Sequence, residues 1–184
     1  TVIAGLTAMG WLSSDDAADE ESIAPAEGAG LLVLEDFESA SRRGANILAE
    51  IVSYGESVGD VRESAEQTDT EDASSSAMQS ALREANVPAS DVGCMVGQTG
   101  NCNSPNDIEC TAIRRVFGES HKATVLSFSK QIGHTFGASG AIAAALGVHT
   151  ISTQQQPPNT FTMINSSGFG GHNASLLLAA GTPR

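Results

Sequence analysis

The segment that most constrains the fold of this chain is a helix of small residues preceded by a lysine and a histidine. Residues 127–146 read Ser-Phe-Ser-Lys-Gln-Ile-Gly-His-Thr-Phe-Gly-Ala-Ser-Gly-Ala-Ile-Ala-Ala-Ala-Leu. A helix made of Gly and Ala lets other elements approach its backbone closely, which is typical of a crowded interior. Its first turn offers unpaired N–H groups and the positive end of the helix dipole. Lys130 and His134 therefore stand where chemistry on a carbonyl group can be supported.

Short apolar runs alternate with helical patterns along the rest of the chain. We expect strands at 30–36, 45–54, 91–97, 124–128 and 174–180, and helices that begin at Phe37 and cover 74–86, 105–117 and 137–148. The serines that open the 74–86 helix predict an N-cap. Residues 13–28 and 56–75 lack apolar periodicity and predict surface loops. The alternation predicts an α/β domain with a mixed sheet and helices on its faces.

The charge of the chain is negative and unevenly distributed. The 184 residues carry a formal charge of −13, and residues 1–72 hold 17 acidic residues against 3 basic ones. Such a surface repels phosphate backbones and anionic lipids, so we expect neither nucleic acid nor a membrane as a partner. Arg114, Arg115 and Lys122 form a local basic group, which fits either a docking site for an acidic partner or an ordinary solvated helix end.

Composition also bears on the compartment. Cys94, Cys102 and Cys110 are an odd set without a close pair, which argues against a disulfide framework and favours a reducing environment. No apolar run is long enough to span a bilayer, and residues 1–12 lack the basic leading region of a signal peptide. We expect a cytoplasmic protein, or one of an organelle matrix or stroma if a targeting sequence was removed.

The 127–146 segment resembles the lysine/histidine motif of the β-ketoacyl synthase family, whose members have a thiolase-like fold and extend acyl chains in fatty-acid and polyketide synthesis. Three further segments resemble the family in the same order. They are Pro25-Ala-Glu-Gly-Ala-Gly-Leu-Leu-Val-Leu-Glu-Asp36, Arg114-Arg-Val-Phe-Gly118 and Asn165-Ser-Ser-Gly-Phe-Gly-Gly-His-Asn-Ala-Ser-Leu-Leu177. The resemblance covers nearly the whole chain.

The resemblance corresponds to the C-terminal half of a family member. It implies a partial N-terminal element and acidic loop over 1–28, and the C-terminal half of a thiolase-like fold over 29–184. The family's nucleophilic cysteine belongs to the other half. Because the two halves pack around shared helices, we expect this half to expose a face meant for burial, and the 137–148 helix is the predicted face.

The resemblance also implies roles for individual residues. His134 matches the second of two family histidines that stabilise the enolate of the extender unit, and Lys130 matches the supporting lysine one residue out of register. Counting back from the following helix puts the first histidine at Gln98, or at Thr99 with another anchor. An amide donates a hydrogen bond but is not protonated at useful pH. Ala143 stands where the family usually has a glutamate that pairs with the lysine.

The glycine-rich segment near the C-terminus resembles the family's gating loop and its substrate-binding residues. The matching positions are Gly168, Phe169, Gly170, Gly171 and Asn173. In the family the phenylalanine swings to admit the acyl chain; here Phe169 fits equally a core aromatic beside a tight turn. The segment between Pro158 and Asn165 is shorter than the family pattern by a loop and a strand.

Three functions follow from the resemblance. The first is the catalytically incomplete partner of an active synthase, similar to the chain-length factors of type II polyketide systems. The second is the C-terminal part of an active β-ketoacyl carrier-protein synthase, and the third is a degenerate synthase recruited as a structural subunit. The resemblance implies an acyl carrier protein as a partner, docked at Arg114 and Arg115, together with a homologous synthase subunit. It implies no cofactor and no metal.

Overall fold

The computed structural model describes residues 2–8, 12, 24–59, 67–98, 108–157, 160–168 and 170–181. The helices in this part are α1 (Val2–Ala8), α2 (Phe37–Arg42), α3 (Gln67–Ala85), α4 (Ile108–Phe117), α5 (Ser129–Ile132) and α6 (Ser139–Ser152). The strands are β1 (Ala49–Val58), β2 (Val92–Gly97), β3 (Thr124–Ser127), β4 (Phe161–Ser167) and β5 (His172–Ala180).

The strands form one mixed sheet in the order β1-β5-β4-β2-β3. β2 runs parallel to both β3 and β4, while β5 runs antiparallel to β4 and to β1. The carboxyl ends of β1, β2, β3 and β4 and the start of β5 therefore share one edge of the sheet. The mixed α/β architecture expected from the sequence is confirmed.

Helices cover the sheet on both sides. α3 and α4 pack on one face, where Met78, Met95, Ile113, Met163 and Leu177 form the centre of the first core cluster. α6 packs on the other face, and a second core cluster forms there from Cys94, Val96, Phe128, Ala143, Ala144, Ile151, Ile164 and Leu178. Every residue of β2 is buried, as expected for a parallel strand covered on both faces.

The segment 30–36, predicted as a buried strand, is neither a strand nor buried. It runs outside the sheet, and Leu31 and Val33 are 89% and 90% exposed. An apolar run favours burial, but burial in a sheet also needs a neighbouring strand to pair with the backbone. No described strand lies beside this run, so the prediction from hydrophobicity was wrong.

The helix predicted at 74–86 begins earlier, at Gln67, so residues 67–75 of the predicted 56–75 loop are helical. Ser74 and Ser75 are buried inside the helix instead of capping it. The reason is tertiary packing: Ser57 of β1 donates a hydrogen bond to the Ala73 carbonyl, and contacts of this kind outweigh the weak helix propensity of a polar segment. β1 extends to Val58, beyond the predicted end at residue 54.

Two further elements were missed. α1 was not predicted, and β4 occupies 161–167, where no strand was predicted and the segment was interpreted as shorter than the family pattern by a loop and a strand. β4 is buried at its centre and pairs with both β2 and β5.

The 137–148 helix, which was predicted to expose a face meant for burial, packs one side on the sheet, while Ala145 on it is exposed. As α6 it buries Ala143, Ala144, Gly147 and Ile151 against the strands. The large apolar residues that are exposed in the described structure lie on the 31–34 run, in and just before β1, and on α1, α4 and α5. On β1, Tyr54 and Val58 are 63% and 67% exposed.

Two further observations concern membrane-spanning helices and the cysteines. In the described ranges no helix is both long and apolar enough to cross a membrane. Cys94 is a free buried thiol, and burial raises its pKa to about 11, whereas Cys110 is disulfide-bonded. The disulfide departs from the expectation of reduced cysteines, because sequence spacing alone does not show which cysteines meet in space.

The close contact of β1 with α3 depends on Gly55. A methyl group at this position would overlap the Ala77 carbonyl oxygen in the α3 backbone. We expect Gly55→Ala to lower the free energy of unfolding by about 1–3 kcal/mol, because helix backbone atoms move aside less readily than a side chain. Urea unfolding followed by circular dichroism measures the change.

Gly5→Ala is the matched control, since nothing lies within 4 Å of an added methyl there. It should leave the urea midpoint unchanged or raise it slightly, as alanine favours a helix. Equal midpoints for the two variants would contradict the contact.

Candidate active site

A cleft of about 630 Å³ opens at the carboxyl edge of the sheet. The described residues that line it are Glu56, Ser57, Val58, Gln98, His134, Phe136, Gly137, Gly140, Ser166, Ser167, Gly168, His172, Asn173 and Ala174. They come from the ends of β1, β2 and β4, the start of β5, and the connection that leads into α6. Ligands bind at this edge in open α/β sheets, because the loops that follow parallel strands converge there.

Gln98 follows β2 directly and is held from two sides. Its side-chain amide donates a hydrogen bond of 3.0 Å to the Ser167 carbonyl at the end of β4. Its own carbonyl accepts hydrogen bonds from the hydroxyl groups of Ser127 and Ser129, which flank the end of β3. Gln98 thus links the ends of three neighbouring strands. Thr99, the alternative position for the family histidine, lies outside the described residues.

His134 lies in the connection between α5 and α6, and both its backbone and its ring are fixed. Gly133, before it, has a φ of +82°, a conformation that favours glycine. The ring Nδ1 accepts a hydrogen bond of 3.0 Å from the Phe136 backbone N–H. Because Nδ1 is the acceptor, a neutral ring carries its proton on Nε2. The Phe136 ring also meets the imidazole edge-on, with 4.8 Å between the ring centroids.

Burial lowers the pKa of His134 from its ordinary value, with a smaller opposing contribution from a backbone hydrogen bond. Desolvation disfavours the charged imidazolium. The neutral ring, a hydrogen-bond donor at Nε2, is therefore the form favoured at neutral pH.

Of the residues predicted to bind substrate, Gly168 and Asn173 line the cleft beside β4 and β5. Asn173 is buried; its Oδ1 accepts from the Ser167 hydroxyl at 2.8 Å and its Nδ2 donates to the Gly171 carbonyl at 3.0 Å. The Gly168 N–H also donates to the His172 carbonyl, and the Gly171 N–H to the Gly168 carbonyl. Gly168, Gly170 and Gly171 thus belong to a tight turn at the cleft, whereas Phe169 lies outside the described residues.

Two further predicted site residues are Lys130 and Ala143. Lys130 belongs to α5, but its side chain lies outside the described part of the structure. Ala143 belongs to α6, is 1% exposed and packs in the second core cluster. A methyl group in this apolar setting fits the absence of a glutamate, because a carboxylate there would need a partner.

The predicted docking arginines are paired with acidic residues. Arg115 contacts the carboxylates of Glu71 and Asp72 on α3, and Arg114 lies 3.8 Å from Glu119. These contacts reduce the positive charge that the α4 end presents to an acidic partner.

Sequence reasoning missed two titratable side chains of the cleft. Glu56 and His172 line it from β1 and β5. His172 stands inside the glycine-rich segment that was already assigned to the site, so its proximity was a usable signal. Glu56 carried no such signal, because only the pairing of β1 with β5 brings it to this edge.

The arrangement suits chemistry on a carbonyl group. Two imidazoles, an amide and several hydroxyl groups converge on an open cleft, where N–H donors can stabilise negative charge that develops on an oxygen. Among the described residues no group of three or more His, Cys, Asp and Glu side chains could hold a metal ion.

Comparison with known proteins agrees with this geometry. Residues 48–162 match the family model described as the C-terminal domain of β-ketoacyl synthases. A 3-oxoacyl-[acyl-carrier-protein] synthase 2 of Staphylococcus aureus (strain COL) is 33% identical over 210 residues, which cover 95% of this chain and 50% of the relative. The same enzyme of Rhizobium meliloti (strain 1021) is 33% identical over 186 residues, covering 88% of this chain and 44% of the relative.

Solved structures show the same likeness. A type II polyketide ketosynthase in complex with its acyl-carrier protein superposes with a TM-score of 0.82 at 26% identity, covering 97% of this chain and 52% of that one. The ishigamide ketosynthase/chain length factor gives a TM-score of 0.78 at 25% identity, covering 97% and 50%. A β-ketoacyl synthase from Burkholderia phymatum STM815 gives 0.71 at 26% identity, covering 97% and 51%.

The chain spans about half the length of the curated relatives it matches. The matching domain model covers most of the described sheet and α3, α4 and α6. This chain therefore belongs to the β-ketoacyl synthase family, and it carries the family's C-terminal domain.

Proposed function

We propose that this chain serves carrier-protein-bound fatty-acid or polyketide chain elongation as the catalytically incomplete, chain-length-factor-like partner of an active synthase. The observation that supports this most is Gln98. The position expected to hold an imidazole has an amide whose N–H is engaged by the Ser167 carbonyl. Such a side chain ties strands together, and unlike an imidazole it has no ring N–H and cannot exchange a proton at useful pH.

Ala143 supports the same function. A methyl group buried in the second core cluster replaces the carboxylate that the family pairs with its lysine. Lys130 would then lack the carboxylate partner that the resemblance implies for it. The site retains the shape of a condensing enzyme with fewer charged groups.

A second candidate function is the C-terminal part of an active synthase. It is supported by His134, which remains at the cleft with its Nδ1 bonded to Phe136 and its Nε2 left as the donor. One histidine donor would act with the nucleophile of the other half. We further propose a homologous synthase subunit and an acyl carrier protein as partners, with Arg114 and Arg115 as the docking prediction, and a cytoplasmic or organelle-matrix location.

The two functions differ in what Gln98→His does to the full polypeptide that carries this chain. If the site is incomplete for want of an imidazole, the variant should decarboxylate malonyl-carrier protein faster, by up to about a hundred- to a thousandfold, the range that one such donor contributes. Release of labelled carbon dioxide from radiolabelled malonyl-carrier protein measures the rate.

Gln98→Asn is the control, because it changes the same side chain without adding an imidazole. An unmodified protein that already decarboxylates at the rate of active synthases would overturn the incomplete-partner function and support the second candidate.

The protonation of His134 predicts a pH dependence of stability. Because the pKa is lower in the folded state, the neutral ring contributes stability that is fully present above the unfolded pKa of about 6.5 and is lost as the pH falls through the folded pKa. Urea midpoints of the wild type should therefore drop more between about pH 7.5 and 5 than those of His134→Gln, whose amide oxygen can still accept from Phe136.

Comparing the wild type with His134→Gln removes the contributions of the other titrating groups, because both proteins contain these groups. Parallel pH curves for wild type and His134→Gln would show that burial of the imidazole has no effect on its protonation.

A further inference from the structure

A backbone segment crosses the connection that carries His134. We call residues 24–30 the 24–30 strap. Pro25 forms a parallel bridge with His134. The His134 N–H donates to the Ala24 carbonyl at 2.7 Å, and the Ala26 N–H donates to the His134 carbonyl at 3.0 Å. Both backbone polar groups of the histidine are thus bonded to the strap.

The 24–30 strap packs closely against its neighbours on both sides of this bridge. A methyl group at Gly133 would lie 2.7 Å from the Ala24 carbonyl oxygen and 2.9 Å from the Ala26 Cβ. At the other end of the strap, a methyl group at Gly30 would lie 2.6 Å from the Ala141 Cβ on α6. These distances leave no room for a side chain, so the backbone of the strap lies directly on the connection and on the helix.

The turn beneath the strap holds an unfavourable conformation. Phe136 has a φ of +51°, which costs a residue other than glycine on the order of 1–3 kcal/mol and persists only where its surroundings enforce it. This conformation occurs in the same turn that directs the Phe136 N–H at Nδ1 of His134. A second restraint is the hydrogen bond of 3.1 Å between the hydroxyl groups of Thr135 and Ser139.

We propose that the 24–30 strap is a positioning element for His134: by bonding both backbone groups of the histidine, it keeps the strained turn in place and holds the imidazole with Nε2 as the donor at the cleft. Ala24, Ala26 and Gly30 act through His134 and touch no reacting atom themselves. The proposal rests on the proposed function, because that function gives the His134 imidazole a role at the cleft. The hydrogen bonds between the strap and His134 do not depend on activity.

The test separates positioning from general stability by reading the imidazole directly. The histidines of the whole chain are labelled with ¹⁵N, and His134→Gln assigns the His134 signals. Ala26→Pro removes the N–H that bonds to the His134 carbonyl, and Gly30→Ala pushes the strap away from Ala141. Gly5→Ala, with open space around the added methyl, is the matched control.

We expect both strap variants to shift the ¹⁵N signal of Nδ1 away from that of a hydrogen-bonded acceptor and to raise the pKa of His134 toward its ordinary value. The His134 amide should exchange its hydrogen about two- to tenfold faster, the range that one hydrogen bond contributes. The groups that could also alter this titration are Glu27 in the strap, Lys130 in α5, and Glu56 and His172 in the cleft wall, and all remain unchanged in these variants.

A folded Ala26→Pro or Gly30→Ala protein with the Nδ1 signal, the pKa and the amide exchange of the wild type would overturn the proposal. If one variant does not fold, the other supplies the result, since they weaken opposite ends of the strap. These measurements need no catalytic turnover. If the decarboxylation assay contradicts the proposed function, the ¹⁵N and exchange results therefore still test whether the strap positions His134.

Discussion

Burial of β2 on both faces is the constraint on which the rest of the structure depends. Met95 packs toward α3 and α4, while Cys94 and Val96 pack toward α6. Because the strand has no water-facing side, its register with β3 and β4 is determined by the packing of both layers. This register places Gln98, which directly follows β2, beside Ser127 of β3 and Ser167 of β4, where the cleft opens.

An imidazole and an amide at two predicted site positions, His134 and Gln98, line the cleft. His134 keeps a ring whose tautomer is selected by a backbone N–H, a device that makes Nε2 the donor without a second side chain. Gln98 uses its amide to connect β2 with β4 instead. The cleft thus has one imidazole fixed by a backbone N–H, and a neighbouring amide that joins two strands of the sheet.

The comparison between sequence and structure shows where local signals suffice. The predictions at β2, α4 and β3 agree with the structure within a few residues over the described part, because their hydrophobic patterns match the layers that bury them. The predictions at 30–36 and at the start of α3 were wrong, since the first depends on a pairing partner and the second on contacts with β1. β4 was missed because the family pattern suggested that a strand was absent.

The sequence by itself determined the α/β class, the family resemblance, and the candidate roles of His134, Gln98 and Asn173, because these depend on residue types in a local order. Only the tertiary structure decided that Gln98 is bonded to Ser167, that Glu56 and His172 reach the cleft, and that residues 24–30 hold His134. Those contacts join residues distant along the chain. They exist because strand order and two-sided burial bring the segments together, which no local pattern of residues specifies.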